Sequence, residues 1–212
     1  MLGANDAGAK LQVSLAFRPI GGTGLASHFR FAYTQTVFWD VQDPSGPIRN
    51  NNYAPEFFYD VPVGRTAHVA IGYRHDSNGG GVTNSVDLNR IYLKVNKRFA
   101  LGNDWQLDVG PQGWIYVGRE GNVRDLDRFF GNAGINASIG QTNGLKVAVY
   151  ARGNPATTKG SAELFVSYPL KRIGGGDFGF YLFGQVYTGY GEVLSNYNVA
   201  DTHARLGIAL TR

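Results

Sequence analysis

Thr66-Ala67-His68-Val69-Ala70-Ile71-Gly72-Tyr73-Arg74-His75-Asp76-Ser77 is the stretch that decides the fold. Val69, Ile71 and Tyr73 alternate with His68, Ala70, Gly72 and Arg74. Side chains of an extended strand point to opposite faces in turn, so one face here is apolar and the other polar, small or charged.

The same alternation recurs on both sides. It runs through Leu11, Val13, Leu15 and Phe17, through Ile91, Leu93 and Val95, and through Ala204, Leu206, Ile208 and Leu210. Further strands are expected over residues 26–40, 54–62, 104–117, 130–141, 145–152, 161–169 and 178–190. That makes eleven, with no helix and no internal repeat. Short connections at 20–24, 62–65, 100–104, 143–144 and 171–177 alternate with longer polar ones at 42–52, 78–86, 118–128 and 191–198, and a modest one at 154–159. Short turns at one end and long loops at the other are the habit of an outer-membrane barrel, with the long loops extracellular.

Composition agrees. Aromatics make up 13% of the 212 residues and charged residues only 17%, below the usual quarter or so. No apolar run is long enough for a spanning helix. There is no cysteine, so disulfides and thiolate metal sites are excluded. The net charge of +4 is scattered, which gives no nucleic-acid patch. The expected architecture is one all-β domain over 1–212, a transmembrane antiparallel β-barrel. Arg74, Arg90, Lys94 and Arg205 would fill its interior, where Asp76, Glu56 and Glu163 could pair with them. Tyr33, Trp39, Tyr73, Trp105, Trp114 and Tyr187 would form interfacial girdles. A soluble, lectin-like β-protein is the alternative fold.

An antiparallel barrel closes naturally with an even strand number. If the strand ending at Ser77 runs outward, the strand at Leu11 runs inward, so an earlier outward strand is missing or something else closes the wall. Met1–Asn5 has neither the basic start nor the apolar stretch of a secretory leader, so a mature form with Met1 as an added start is expected.

Four histidines are present. His28, His68 and His203 share parity with the inward Arg30, Arg74 and Arg205. Only His75 shares parity with the lipid face, where an unpaired polar group is costly. Ser77 lies on that face, two residues on. Asn89 shares parity with Ile91, Leu93 and Val95, so it also faces outward. If His75 and Asn89 oppose one another, the hairpin is centred on Val82, inside the expected loop. Serine, histidine and an orienting amide can then converge on the outer wall. Ser77 would be the nucleophile, His75 general base and then acid, and Asn89 the group that orients the imidazole. A polar strand end and turn remains the plainer reading of the same residues.

His75-Asp76-Ser77-Asn78-Gly79, followed by Ser85-Val86-Asp87-Leu88-Asn89-Arg90-Ile91-Tyr92, resembles the active-site hairpin of the bacterial outer-membrane phospholipase A family. The similarity extends through Leu11-Gln12-Val13-Ser14-Leu15-Ala16-Phe17, Tyr33-Thr34-Gln35, Ala162-Glu163-Leu164 and Gln185-Val186-Tyr187-Thr188-Gly189-Tyr190-Gly191-Glu192. The resemblance implies a twelve-stranded barrel, one more than counted. It implies calcium-dependent hydrolysis of acyl esters of phospholipids and lysophospholipids at the outer membrane, activated by homodimerisation. It also implies calcium held by the Gly80 carbonyl, the Ser85 hydroxyl and a Ser45 carbonyl from a second subunit. The Gly79 N–H would help bind the oxyanion, and Gln35 would lie at the dimer contact. Gln35 also stands out by itself, as an amide in a lipid-facing stripe. Val82 stands where some relatives carry an acidic residue of a second calcium site. The competing functions are a lipid A deacylase-type membrane esterase and a non-catalytic, porin-like barrel.

Overall fold

Strand alternation over nearly the whole chain leaves the backbone one way to satisfy its hydrogen bonds in lipid, which is strand-to-strand pairing around a closed wall. The computed structural model describes residues 2–3, 7–118, 125–174 and 179–212. Its strands are β1 (Leu2–Gly3), β2 (Ala9–Phe17), β3 (Phe29–Trp39), β4 (Ile48–Val63), β5 (Ala67–Ser77), β6 (Asp87–Gly102), β7 (Trp105–Tyr116), β8 (Ala133–Gln141), β9 (Lys146–Asn154), β10 (Lys159–Pro169), β11 (Tyr181–Tyr190) and β12 (Ala200–Ala209).

Each strand pairs antiparallel with the next, and the sheet closes into a barrel. The eleven long strands, β2 to β12, are the eleven expected. The twelfth place is held by β1, where Leu2 lies opposite both Ala9 and Leu206, and Gly3 opposite Arg205. Part of the expected 118–128 loop, part of the 171–177 turn, the residue at which the 178–190 strand was to begin, and Met1 lie outside the described residues.

The two faces separate as alternation requires. Leu15, Ile71, Leu93, Ile115 and Leu206 are exposed on the outer wall. Inside, Arg74 pairs with Asp76 at 2.8 Å and with Glu56 at 3.6 Å, and Arg90 pairs with Asp76 at 2.6 Å. Lys10 reaches Glu163 at 3.3 Å and Glu192 at 3.2 Å, and the buried Arg205 donates to Glu192. His68 faces Asp60 at 3.2 Å, and His203 lies between Asp201 and Glu192, so both are on the inside as expected. His28 ends a 3-10 turn, with Nδ1 3.0 Å from the Asp60 carbonyl.

Several expectations are corrected. Trp114 and Tyr187 are buried inside the barrel and form no girdle. Trp114 takes Arg90 over its ring, and Tyr187 stacks on His203. Their parity is that of Gln112 and Gln185, and parity outweighs the aromatic preference for interfaces. Residues 48–52 extend β4 rather than the preceding loop, because Asn50, Asn51 and Asn52 pair across to Phe38, Val37 and Thr36. Asparagine is rare in strands, and here the ladder overrides that preference. Two short helices also form, α1 (Gly81–Asn84) and α2 (Leu126–Phe130), so β8 begins at Ala133 rather than near 130. The α2 side chains Leu126 and Phe130 pack with Val86, Leu88 and Leu194 into a small apolar cluster at the outer mouth.

Glu192 sits in the β11–β12 connection. Burial pushes its carboxyl up, but the His203 hydrogen bond, Lys10 and Arg205 outweigh burial and hold it well below the ordinary carboxylate range. A depressed carboxylate stabilises the fold above its unfolded pKa, and that stability is lost as pH falls through the folded value. Unfolding titrations at falling pH should therefore show an acid loss of stability below about pH 4.5 that is smaller in Glu192→Gln. On the outer wall, Leu93→Arg near mid-strand should destabilise folding into lipid vesicles by about 2–4 kcal/mol. The conservative Leu93→Ile should leave that folding free energy nearly unchanged.

Candidate active site

The hairpin of β5 and β6 places His75 opposite Asn89, as parity and loop length require. Arg74 lies opposite Arg90, and Ser77 opposite both Asp87 on β6 and Tyr53 on β4. His75, Ser77 and Asn89 are half-buried on the outer wall.

His75 Nδ1 lies 2.7 Å from Asn89 Oδ1. The same oxygen accepts the Tyr73 hydroxyl at 2.6 Å, and Asn89 Nδ2 donates to the Gly118 carbonyl at 3.0 Å. The carbonyl acceptor at Gly118 fixes which end of the amide is nitrogen. Oδ1 can then only accept, so His75 Nδ1 carries the proton. Nε2 is left with the lone pair, the state a general base needs. Val117 N also donates to the Asn89 carbonyl at 3.0 Å, which ties β6 to the start of the β7–β8 loop.

Ser77 lies two residues from His75 on the same face, about 7 Å along the strand. Among the described residues no hydrogen bond joins the two side chains, a common state of catalytic pairs without substrate. His75 and Asn89 are thus brought into contact, while Ser77 is placed beside them and not bonded.

The loop after Ser77 is organised by Asn78. Its Oδ1 accepts from Gly80 N at 3.1 Å and Val86 N at 2.9 Å, and its Nδ2 donates to the Asn84 carbonyl at 3.0 Å. An asparagine that bonds to backbone two residues on is a common turn former. Gly79 has φ +64, a backbone conformation that favours glycine, and a Cβ there would press on the Tyr53 ring at 3.0 Å. Gly80 and Ser85 flank α1 within this loop, so the carbonyl of one and the hydroxyl of the other belong to a single short segment. Ser45 is elsewhere, exposed with φ +66 in the β3–β4 turn that Gly46 N closes onto the Asp43 carbonyl at 2.9 Å.

Gln35 lies on the outer face of β3, opposite Tyr53. Its Oε1 accepts the Tyr33 hydroxyl at 3.3 Å, and its Nε2 donates to Asn51 Oδ1 at 3.4 Å. Two amides therefore sit side by side on the lipid face. Tyr73, Asn78 and Gly118 are the site residues that sequence reasoning missed. Tyr73 had a signal, since it shares the outward face of His75. Gly118 had none, because its part is played by a backbone carbonyl.

Known proteins resemble this chain over most of its length. The family model described as Phospholipase A1 matches residues 2–210. Phospholipase A1 of Escherichia coli K12 is 34% identical over 213 residues, covering 95% of this chain and 68% of the relative. Phospholipase A1 of Proteus vulgaris is 33% identical, covering 98% and 71%. Among solved structures, outer membrane phospholipase A from Escherichia coli superposes with TM-score 0.78 at 29% identity, covering 94% of this chain and 82% of that one. The Salmonella typhi outer membrane phospholipase dimer with bound calcium gives 0.78 at 28%, covering 94% and 77%.

Tyr73→Phe keeps the ring and removes one hydrogen bond to Asn89. With a net worth of about 1 kcal/mol for that bond, kcat for fatty-acid release should fall roughly fivefold with KM unchanged. The same substitution made in Asn89→Ala should cost nothing further. Equal losses in both backgrounds would show that Tyr73 does not act through Asn89.

Proposed function

The chain belongs to the phospholipase A1 family, and from that premise we propose how its outer wall performs the chemistry. It is an outer-membrane β-barrel enzyme that hydrolyses acyl esters of phospholipids. Family membership sets aside the lipid A deacylase and the soluble readings.

The observation that carries the assignment of roles is the 2.7 Å contact of His75 Nδ1 with Asn89 Oδ1 on the lipid face, with Ser77 two residues away. Ser77 is the nucleophile. As its Oγ forms a bond to the ester carbonyl carbon, its proton passes to His75 Nε2 and the carbonyl electrons move to oxygen. The tetrahedral oxyanion then collapses. The bond to the glycerol oxygen breaks, and Nε2 returns the proton to that oxygen, which releases the lysolipid. Water attacks the acyl-Ser77 ester by the same proton path and frees the fatty acid. Asn89 holds the imidazole in one tautomer and orientation throughout. Its neutral amide avoids a buried carboxylate beside lipid. The backbone N–H of Gly79 helps bind the oxyanion from a turn that admits a close approach.

The donor set of the following loop suits calcium, a hard cation that takes carbonyl and hydroxyl oxygens. Gly80 O and Ser85 Oγ would supply two ligands, and the Ser45 carbonyl of a second copy a third. Bound there, calcium would stabilise negative charge on the oxyanion. Support comes from the calcium-bound dimer among the solved relatives. A solved active-site mutant of the Escherichia coli protein, in which an asparagine is changed to alanine, supports the role of Asn89. Homodimerisation through the face that carries Gln35 and Asn51 accounts for two amides in a lipid-facing stripe, because amides in lipid bond across interfaces.

Ser77→Ala should lower fatty-acid release from phosphatidylcholine by about 10⁴-fold or more, with folding unchanged by heat-modifiable electrophoretic migration. A calcium chelator should abolish release by the unmodified chain, and Ser85→Ala should raise the calcium concentration needed for half-maximal rate. Full activity in Ser77→Ala would overturn the assignment.

A further inference from the structure

Among the outward positions of the described strands only two side chains carry charge, and both are on β6. Asp87 lies opposite Ser77 at the outer end. Lys97 is the other, opposite Ala67 on β5 and Val109 on β7. An ionisable residue on a lipid-facing wall is costly and calls for a partner.

Lys97 lies eight residues from Asn89. That is about 26 Å along a strand, or about 20 Å along the bilayer normal at a tilt near 40°. The apolar band of such barrels is about 25 Å tall. With Asn89 at its outer edge, Lys97 therefore reaches the headgroups of the periplasmic leaflet. Its Nζ bonds to Thr66 Oγ1 at 2.9 Å and lies 5.8 Å from the Phe99 ring centre. Arg65, exposed in the β4–β5 turn, directly precedes Thr66. Below and above Lys97 the wall is apolar and exposed, with Phe99 and Leu101 on one side and Val95, Leu93 and Ile71 on the other. The arrangement offers two cations and a hydroxyl at headgroup depth, continuous with a bed for acyl chains.

We propose that Arg65, Thr66 and Lys97 form a binding site for an anionic phospholipid of the periplasmic leaflet, at the inner end of the hairpin that carries the catalytic residues. The phosphodiester takes the Lys97 ammonium, the Arg65 guanidinium and the Thr66 hydroxyl. The acyl chains run along Val95, Leu93 and Ile71. Lipid phosphate rather than free phosphate is the occupant, because the cations stand on a surface that is otherwise apolar. Basic residues near an anionic leaflet each attract it appreciably, and an attraction of this kind fades with salt.

Trp105 reports on the site. It starts β7 on the outward face, four residues from Val109, the cross-strand neighbour of Lys97. Trp114 is buried inside, whereas Trp39 faces outward at the other end, so the measurement is made in Trp39→Phe, which leaves Trp105 as the lipid-facing tryptophan. The test folds the chain into phosphatidylcholine vesicles doped with brominated phosphatidylglycerol or brominated phosphatidylcholine and measures tryptophan quenching. Brominated phosphatidylglycerol should quench equally at about one-fifth the mole fraction or less. The preference should fall away in 1 M salt, survive Lys97→Arg, and vanish in Lys97→Gln with Arg65→Gln, each variant checked for heat-modifiable migration. Arg65→Gln alone should weaken it in part, which gives a reading if the double variant fails to fold. Equal quenching by the two lipids with both cations in place would overturn the proposal, as would a preference that persists without them. In that case Lys97 merely extends its amine to the headgroup region. The readout is fluorescence, so it is independent of whether Ser77 is the nucleophile.

Discussion

Asp76 holds the catalytic hairpin together from inside. Arg74 and Arg90 stand directly opposite one another on β5 and β6. Like charges facing across a ladder repel. Asp76 resolves this by pairing with both, at 2.8 Å and 2.6 Å, in the low-dielectric interior. The three residues occupy the inner face at the level where His75, Ser77 and Asn89 occupy the outer one. A slip of one residue would turn every side chain of a strand to the other face. Arg74 would then meet lipid and His75 would enter the barrel. The ion bridge inside therefore fixes the register on which the chemistry outside depends.

That coupling explains the makeup of the outer site. Apart from Asp87 and Lys97, the charged side chains of the described strands face the interior, where partners exist. The site on the outer wall is built from a serine, an imidazole, an amide and a phenol. Asn89 is held at both ends of its amide by Tyr73 and Gly118, so orientation comes from hydrogen bonds rather than from a carboxylate. A fixed neutral amide gives the imidazole one tautomer without leaving an unpaired charge beside lipid. Asp87 and Lys97 are the exceptions on this wall, and their places at the outer end and at the inner edge of the apolar band are what make them tolerable.

Much of this was legible in the sequence. Period-two alternation alone singled out His75 among four histidines. The spacing from His75 to Asn89, centred on Val82, set the cross-strand pairing that the structure shows. Parity also put Arg74, Arg90 and Arg205 inside. What was not legible has two causes. Trp114 and Tyr187 were assigned by the general liking of aromatics for interfaces, although their own parity with glutamine points inward. The hold on Asn89 depends on a rotamer and on a backbone carbonyl 29 residues away, and neither leaves a mark in side-chain pattern. The short helices escaped for a related reason. Four or five residues are too few to show a period, so α1 reads as part of the 78–86 loop, and Phe130 at the end of α2 reads as the start of the next strand.

One of those helices bears on the site. Val86 and Leu88 are the inward neighbours of Asp87 and Asn89, and both are buried against Leu126, Phe130 and Leu194. Val86 N also closes the loop onto Asn78 Oδ1 at 2.9 Å. Arg152 secures this cluster from below, stacked on Phe130 and donating to the carbonyls of Phe130, Tyr190 and Gly191. Outer loops of a barrel are ordinarily its most mobile part. Here three of them share an apolar cluster across the mouth, so the strand end that carries Asn89 is packed from within while its outer face stays open to lipid. A site on the outside of a membrane wall has no cleft to shape it. It takes its rigidity from the ion bridge and the apolar cluster directly behind it.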